Sequence, residues 1–235
     1  MRFSVVSPTS IQKAESVAII AAGPSLVSVE KHVRKWCNDN NALVIGAHYR
    51  YFVDPTYTVF TTPAKFRNAQ GKIPGIYIVG PRILKKDIVK KYYSRIMRMK
   101  YTKTLLLDWD KDYFVESDGS VPQGGCGFES ALIGSMCNPK KLLMAGFDGF
   151  QMIKGKLVVR HANKAMVKVK AKNSIESIRV CKVARDIALE SRRKDMLYKI
   201  FDFFIRSSIQ PFIFEKDQFR NIDKDRLRDM GVIVL

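Results

Sequence analysis

Residues 16–22 read Ser-Val-Ala-Ile-Ile-Ala-Ala, an apolar run with no polar alternation, and Gly23-Pro24-Ser25 ends it. A strand with one wet face alternates apolar and polar residues. An uninterrupted run needs cover on both faces, which is the signature of a buried parallel strand. A helical pattern follows over 26–36, with Ser25 or Ser28 placed to cap it. Similar short runs recur at 42–46, 57–60, 75–80, 104–107 and 141–146, with later candidates at 209–214 and 232–235. Helical patterns occupy 83–100, 127–136 and 175–206. Strands alternating with helices predict an α/β fold, a parallel sheet with helices on both faces. In such sheets ligands bind beyond the carboxyl ends of the strands. The loops that matter are therefore 21–25, 46–52, 61–67, 80–82, 108–127 and 146–161.

A chain of 235 residues fits one domain, spanning 1–235, and can bury a core without metal or disulfide staples. Its 46% hydrophobic and 27% charged residues exclude a disordered or low-complexity chain. No apolar run approaches the roughly 18–20 residues of a membrane span, and residues 1–16 lack the apolar core of a signal peptide. Cys37, Cys126, Cys137 and Cys181 form no CxxC pair, so reduced thiols in a cytoplasmic protein are expected.

Charge is the strongest compositional signal. The formal net charge is +19, and residues 82–199 hold 26 basic and 12 acidic side chains of the total. Two segments, 82–103 and 154–199, carry the excess and form a candidate acceptor side beside a nucleotide-binding core at about 16–150. In the first, Lys85, Lys86, Lys90 and Lys91 run into Tyr92, Tyr93, Arg95 and Arg98. In the second, Arg160 and Lys164 flank a histidine. Blocks like these attract nucleic acid, an anionic membrane surface or phosphorylated substrates; the competing reading is a solvated basic face.

Two glycine turns open predicted helices. Gly23-Pro24-Ser25 follows the first strand, and Gly124-Gly125-Cys126-Gly127 precedes the helix at 127–136. Glycine lets backbone approach a ligand, and a helix N-terminus offers N–H groups to a phosphate. A structural tight turn competes with a phosphate cradle in the first. In the second, three glycines in four positions favour close approach of a ligand.

Together, residues 17–26, the Gly125-Cys126-Gly127 turn and the stretch 141–150, ending Gly146-Phe147-Asp148-Gly149-Phe150, resemble the nucleotide-binding segments of bacterial sialyltransferases that make lipooligosaccharide. A similar pair occurs in pterin-pyrophosphokinase-like proteins. The resemblance runs over about 16–190 and implies a Rossmann-like GT-A-type glycosyltransferase using a nucleotide-activated sugar. It implies donor contacts from Gly23, Pro24, Ser25, His48, Thr62, Gly125, Cys126, Gly127, Asp148 and Phe150. It also implies a metal-independent reaction with a histidine base after the Gly-hydrophobic-Asp strand. His161, 13 residues beyond Asp148, stands at that place. Transfer to a hydroxyl requires a group that takes its proton near neutral pH, and surrounding Lys and Arg favour a neutral imidazole. The chain departs from the family at Ala22, His48, Thr62, Gly125, Cys126 and Phe150, so the donor stays open as CMP- or UDP-linked.

Asp108-Trp109-Asp110 is a rival motif, because such carboxylate pairs hold Mn²⁺ or Mg²⁺ against a diphosphate; a solvated acidic loop is the alternative. The charge surplus favours a polyanionic acceptor. The first expectation is DNA carrying a hydroxymethylated base, as in a phage-infected cell, with the tyrosines stacking an extruded base. The second is lipopolysaccharide or lipooligosaccharide at the inner membrane face. A pterin-type pyrophosphokinase and a non-catalytic nucleic-acid binder remain as other classes.

Overall fold

In the computed structural model, the residues described are 4–5, 8–21, 23–48, 52–60, 66, 73–79, 96–98, 126–148, 150–153, 156–159, 179–180, 183–217, 219 and 222–235. Strand β2 (Ser16–Ile20) is buried along its whole length. Val17 and Ile19 enter one hydrophobic cluster, and Ala18 and Ile20 enter the other. That two-sided burial is why the run carries no polar alternation. The expected strands β3 (Leu43–Ala47), β4 (Tyr57–Phe60), β5 (Ile76–Val79), β7 (Lys141–Ala145), β11 (Gln210–Ile213) and β12 (Ile233–Val234) all form. Strand β1 (Ser4–Val5) and β6 (Ile96–Arg98) join them.

Among the described residues these make a nine-stranded sheet in the order β1-β6-β5-β4-β3-β2-β7-β11-β12. Every neighbouring pair is parallel. The run β4-β3-β2-β7-β11-β12 has the doubly wound 3-2-1-4-5-6 order, with β5, β6 and β1 extending one side. The fold is therefore an α/β, Rossmann-like parallel sheet. Its strand order reverses between β2 and β7.

Helix α1 (Leu26–Asp39) covers one face through Leu26, Val29, Val33, Trp36 and Cys37. Helix α2 (Cys126–Met136) covers the other with Phe128, Ala131 and Ile133. Helix α3 (Val183–Arg206) adds Leu197, Ile200, Phe201 and Phe204 to that second face, and α4 (Lys224–Asp229) adds Leu227. Helices thus lie on both faces. Among the described residues no helix is long and apolar enough to cross a membrane.

Three local expectations are corrected. Part of the predicted helix at 83–100 is strand β6, whose backbone is taken up by β5 on one side and β1 on the other. Sheet pairing overrides the helical period there. Residues 179–180, inside the predicted helix 175–206, form β10 (Arg179–Val180), and α3 begins at Val183. Strand β10 closes a three-stranded antiparallel sheet with β9 (Lys156–Val159) and β8 (Phe150–Ile153), two strands that fall within the expected loop 146–161. The strand candidate at 104–107 lies outside the described residues.

Candidate functional site

The β2–β7 register runs from Ser16 beside Lys141 to Ile20 beside Ala145. It delivers the loops 21–25 and 146–148 side by side at the carboxyl end of the sheet, where the strand order reverses. This is where open α/β sheets bind ligands.

Three segments meet there. The Gly23 N–H donates to Gly146 O at 2.7 Å. The Ser25 N–H donates to Asp148 Oδ2 at 2.6 Å, and the Ser25 hydroxyl donates to Asp148 Oδ1. The same hydroxyl oxygen lies 2.8 Å from Asp217 Oδ1, a residue 192 positions away that follows β11. Asp217 in turn accepts the Gly146 N–H at 2.6 Å and the Phe219 N–H at 3.1 Å. Both acids are out of water, Asp148 at 1% exposure and Asp217 at 0%. Burial pushes the Asp217 carboxyl up, to about 7, and the nearby charge of Asp148 pushes the same way. The N–H donors of Gly146 and the Ser25 hydroxyl oppose that rise without cancelling it.

These contacts explain the first glycine turn. A Cβ on Gly23 would sit 2.4 Å from Asp148 Cγ and 2.5 Å from Gly146 O. Gly146 has φ +76°, and a Cβ there would meet Ala21 O at 2.6 Å. Ser25 stands at the N-cap position of α1, yet its side chain makes no cap bond; it faces the two acids instead. The remaining amides at the start of α1 are taken internally, Leu26 by Gly23 O, Val27 by Pro24 O and Ser28 by Ser25 O. What this turn offers a ligand is shape, because its N–H groups are committed within the protein.

The second turn is built differently. Cys126 opens α2 from a buried position, with its thiol donating to Val59 O of β4 at 2.8 Å. A Cβ on Gly127 would lie 2.9 Å from the Phe147 ring, so that glycine lets the helix close on the loop after β7. Gly125 lies outside the described residues. His48 follows β3 with its backbone in the left-handed region, φ 74°. It is half-buried, its N–H donates to Val59 O at 2.9 Å, and its ring stands 6.4 Å from that of Phe60. Thus β3, β4 and α2 meet at the Val59 carbonyl, on the side of β2 away from β7.

Of the other expected site residues, Phe150 begins β8 and Arg98 ends β6. His161, Thr62, Asp108, Asp110, Lys85, Lys86, Lys90, Lys91, Tyr92, Tyr93, Arg95, Arg160 and Lys164 lie outside the described residues. Among the described residues no group of three or more His, Cys, Asp and Glu side chains is placed to hold a metal ion. Cys37 and Cys137 are buried thiols, each pushed up to about 12 by desolvation, which makes them poor nucleophiles. Asp217 is the residue that sequence reasoning missed. The available signal was a carboxylate just past the carboxyl end of an apolar strand, in Phe214-Glu215-Lys216-Asp217, a loop outside those singled out from the sequence.

No protein-family model matches this chain, and no curated protein matches its sequence.

Proposed function

We propose that this protein is a nucleotide-sugar-dependent glycosyltransferase whose donor lies across the β2/β7 switch point and whose acceptor is a polyanion. The observation that carries this reading is the doubly wound strand order, with α1 opening at the reversal and α2 opening on the other face beside Val59 of β4. Because the amides of the first turn are used internally, the α2 opening at Cys126 and Gly127 is assigned the leaving phosphate. His48, 25 residues beyond Gly23 at the end of β3, stands where doubly wound enzymes contact the ribose.

His161 is assigned as the base from the family resemblance and its place 13 residues after Asp148; the described chain before it is the β8–β9 hairpin. Its register pairs Phe150 with Val159, so the chain returns to the loop that carries Asp148. The basic segments 82–103 and 154–199 favour DNA with a hydroxymethylated base as the acceptor. The family resemblance favours a lipid-linked glycan as the second reading.

The test is a screen of purified protein for turnover of CMP-, UDP- and GDP-sugars, with and without EDTA, on hydroxymethylated DNA and on lipooligosaccharide. A donor turned over by the wild type and slowed at least about 100-fold by His161→Ala, with DNA affinity kept, supports the reading. Activity that survives His161→Ala removes the base. DNA affinity that stays flat with salt removes the nucleic-acid acceptor.

A further inference from the structure

The contacts around Ser25 raise a question of hydrogen count. Its oxygen touches Asp148 Oδ1 and Asp217 Oδ1, yet a hydroxyl carries one hydrogen and can donate to one of them only. If both acids were ionised, the second contact would set lone pair against lone pair in a site shielded from solvent. The backbone supplies no remedy. The Ser25 N–H serves Asp148 Oδ2, and the Gly146 and Phe219 N–H groups serve the two oxygens of Asp217. Among the described residues neither acid forms an ion pair. One more proton completes the network.

We propose that Asp148 and Asp217 hold a single proton between them across the Ser25 hydroxyl, and that this singly protonated trio is a latch joining the loops after β2, β7 and β11 at the switch point. The inference does not depend on the identity of donor or acceptor. Each part of the latch comes from a different loop, Ser25 from the start of α1, Asp148 from beyond β7 and Asp217 from beyond β11. Losing the proton leaves two buried carboxylates facing one hydroxyl, and the three loops lose their common tie.

Among the described residues, the charged groups around the latch do not substitute for that proton. On the α1 side, Glu30 pairs with Arg34, and His32 packs on Phe214. On the β11 side, Glu215 is exposed and pairs with Lys224 and Arg228, and Lys216 is exposed. Among the described residues, the charged group that acts on Asp217 is Asp148. The sign follows from linkage. A carboxyl raised in the folded state binds its proton more tightly there than in the unfolded chain. Its contribution is full below the ordinary value of 3.8 and is lost as pH climbs to about 7.

The test compares full-length wild type and Asp217→Asn by thermal melting from pH 4 to 9. Asparagine mimics the neutral acid at every pH. The melting temperature of the variant, relative to wild type, is expected to rise by on the order of 5 °C between pH 4 and 7 and then level off. A gap that is constant with pH, or one that moves against the variant as pH rises, overturns the proposal, because an ionised Asp217 gives that opposite slope. Should the variant not fold, the infrared spectrum of the wild type decides. A carboxylic-acid C=O band that persists at pH 6 and vanishes by pH 9 supports the shared proton, and its absence at pH 6 refutes it.

Discussion

The two glycine turns of this protein lie in the same fold yet do different jobs. The first, at Gly23, is filled by the protein itself. Asp148 sits against the start of α1, takes one N–H and one hydroxyl, and leaves no space for a Cβ. The second, at Gly127, is held by softer contacts, an aromatic ring and a thiol-to-carbonyl hydrogen bond. A helix N-terminus attracts negative charge wherever it occurs. At α1 an internal carboxylate answers that attraction, whereas at α2 the proposed answer is a leaving phosphate. Glycine before a helix is therefore an ambiguous sign until the atom facing it is known.

Substitutions can break or sharpen this contrast. Gly23→Ala is expected to have the largest effect, a loss of about 3 kcal/mol or more in denaturant unfolding, because the new methyl meets backbone and a fixed carboxyl group. Cys126→Ala removes the bond to Val59 O and a buried sulfur, with an expected loss of about 1–2 kcal/mol. Gly127→Ala is expected to cost about 1 kcal/mol or less. The methyl crowds the Phe147 ring, but alanine returns about 1 kcal/mol of helix propensity. Equal losses at Gly23 and Gly127 would erase the distinction between the turns. Smallest is Lys140→Ala. Its partner Glu15 is held below the ordinary carboxylate range by that lysine, yet the two side chains are 79% and 80% exposed. The melting temperature is expected to stay unchanged within error.

Much of the central sheet could be read from the chain because strands covered on both faces leave an unbroken apolar run, as at β2 and β7. Strand β6 could not, since three residues between basic neighbours fit a helical period as well as a strand. The β8–β9 hairpin carries only a short signal, Lys154-Gly155 between two short apolar-polar stretches. In the site, Gly23, Ser25 and Asp148 were legible from their places at strand ends, but their roles were not. Those roles depend on Asp217, which reaches Ser25 across 192 residues through the β11 crossover. No local pattern reports a contact of that span. Ser25 looked like a cap because caps are serines, while its hydroxyl was taken by a more demanding pair of acids.

The claim that donor phosphate meets the α2 opening, while α1 is closed by its own carboxylates, has a direct measurement. Backbone hydrogen exchange would be followed with and without saturating nucleotide sugar. The account expects added protection at the amides of residues 126–129, with those of 25–28 unchanged. Protection gained at 25–28 and none at 126–129 would contradict it.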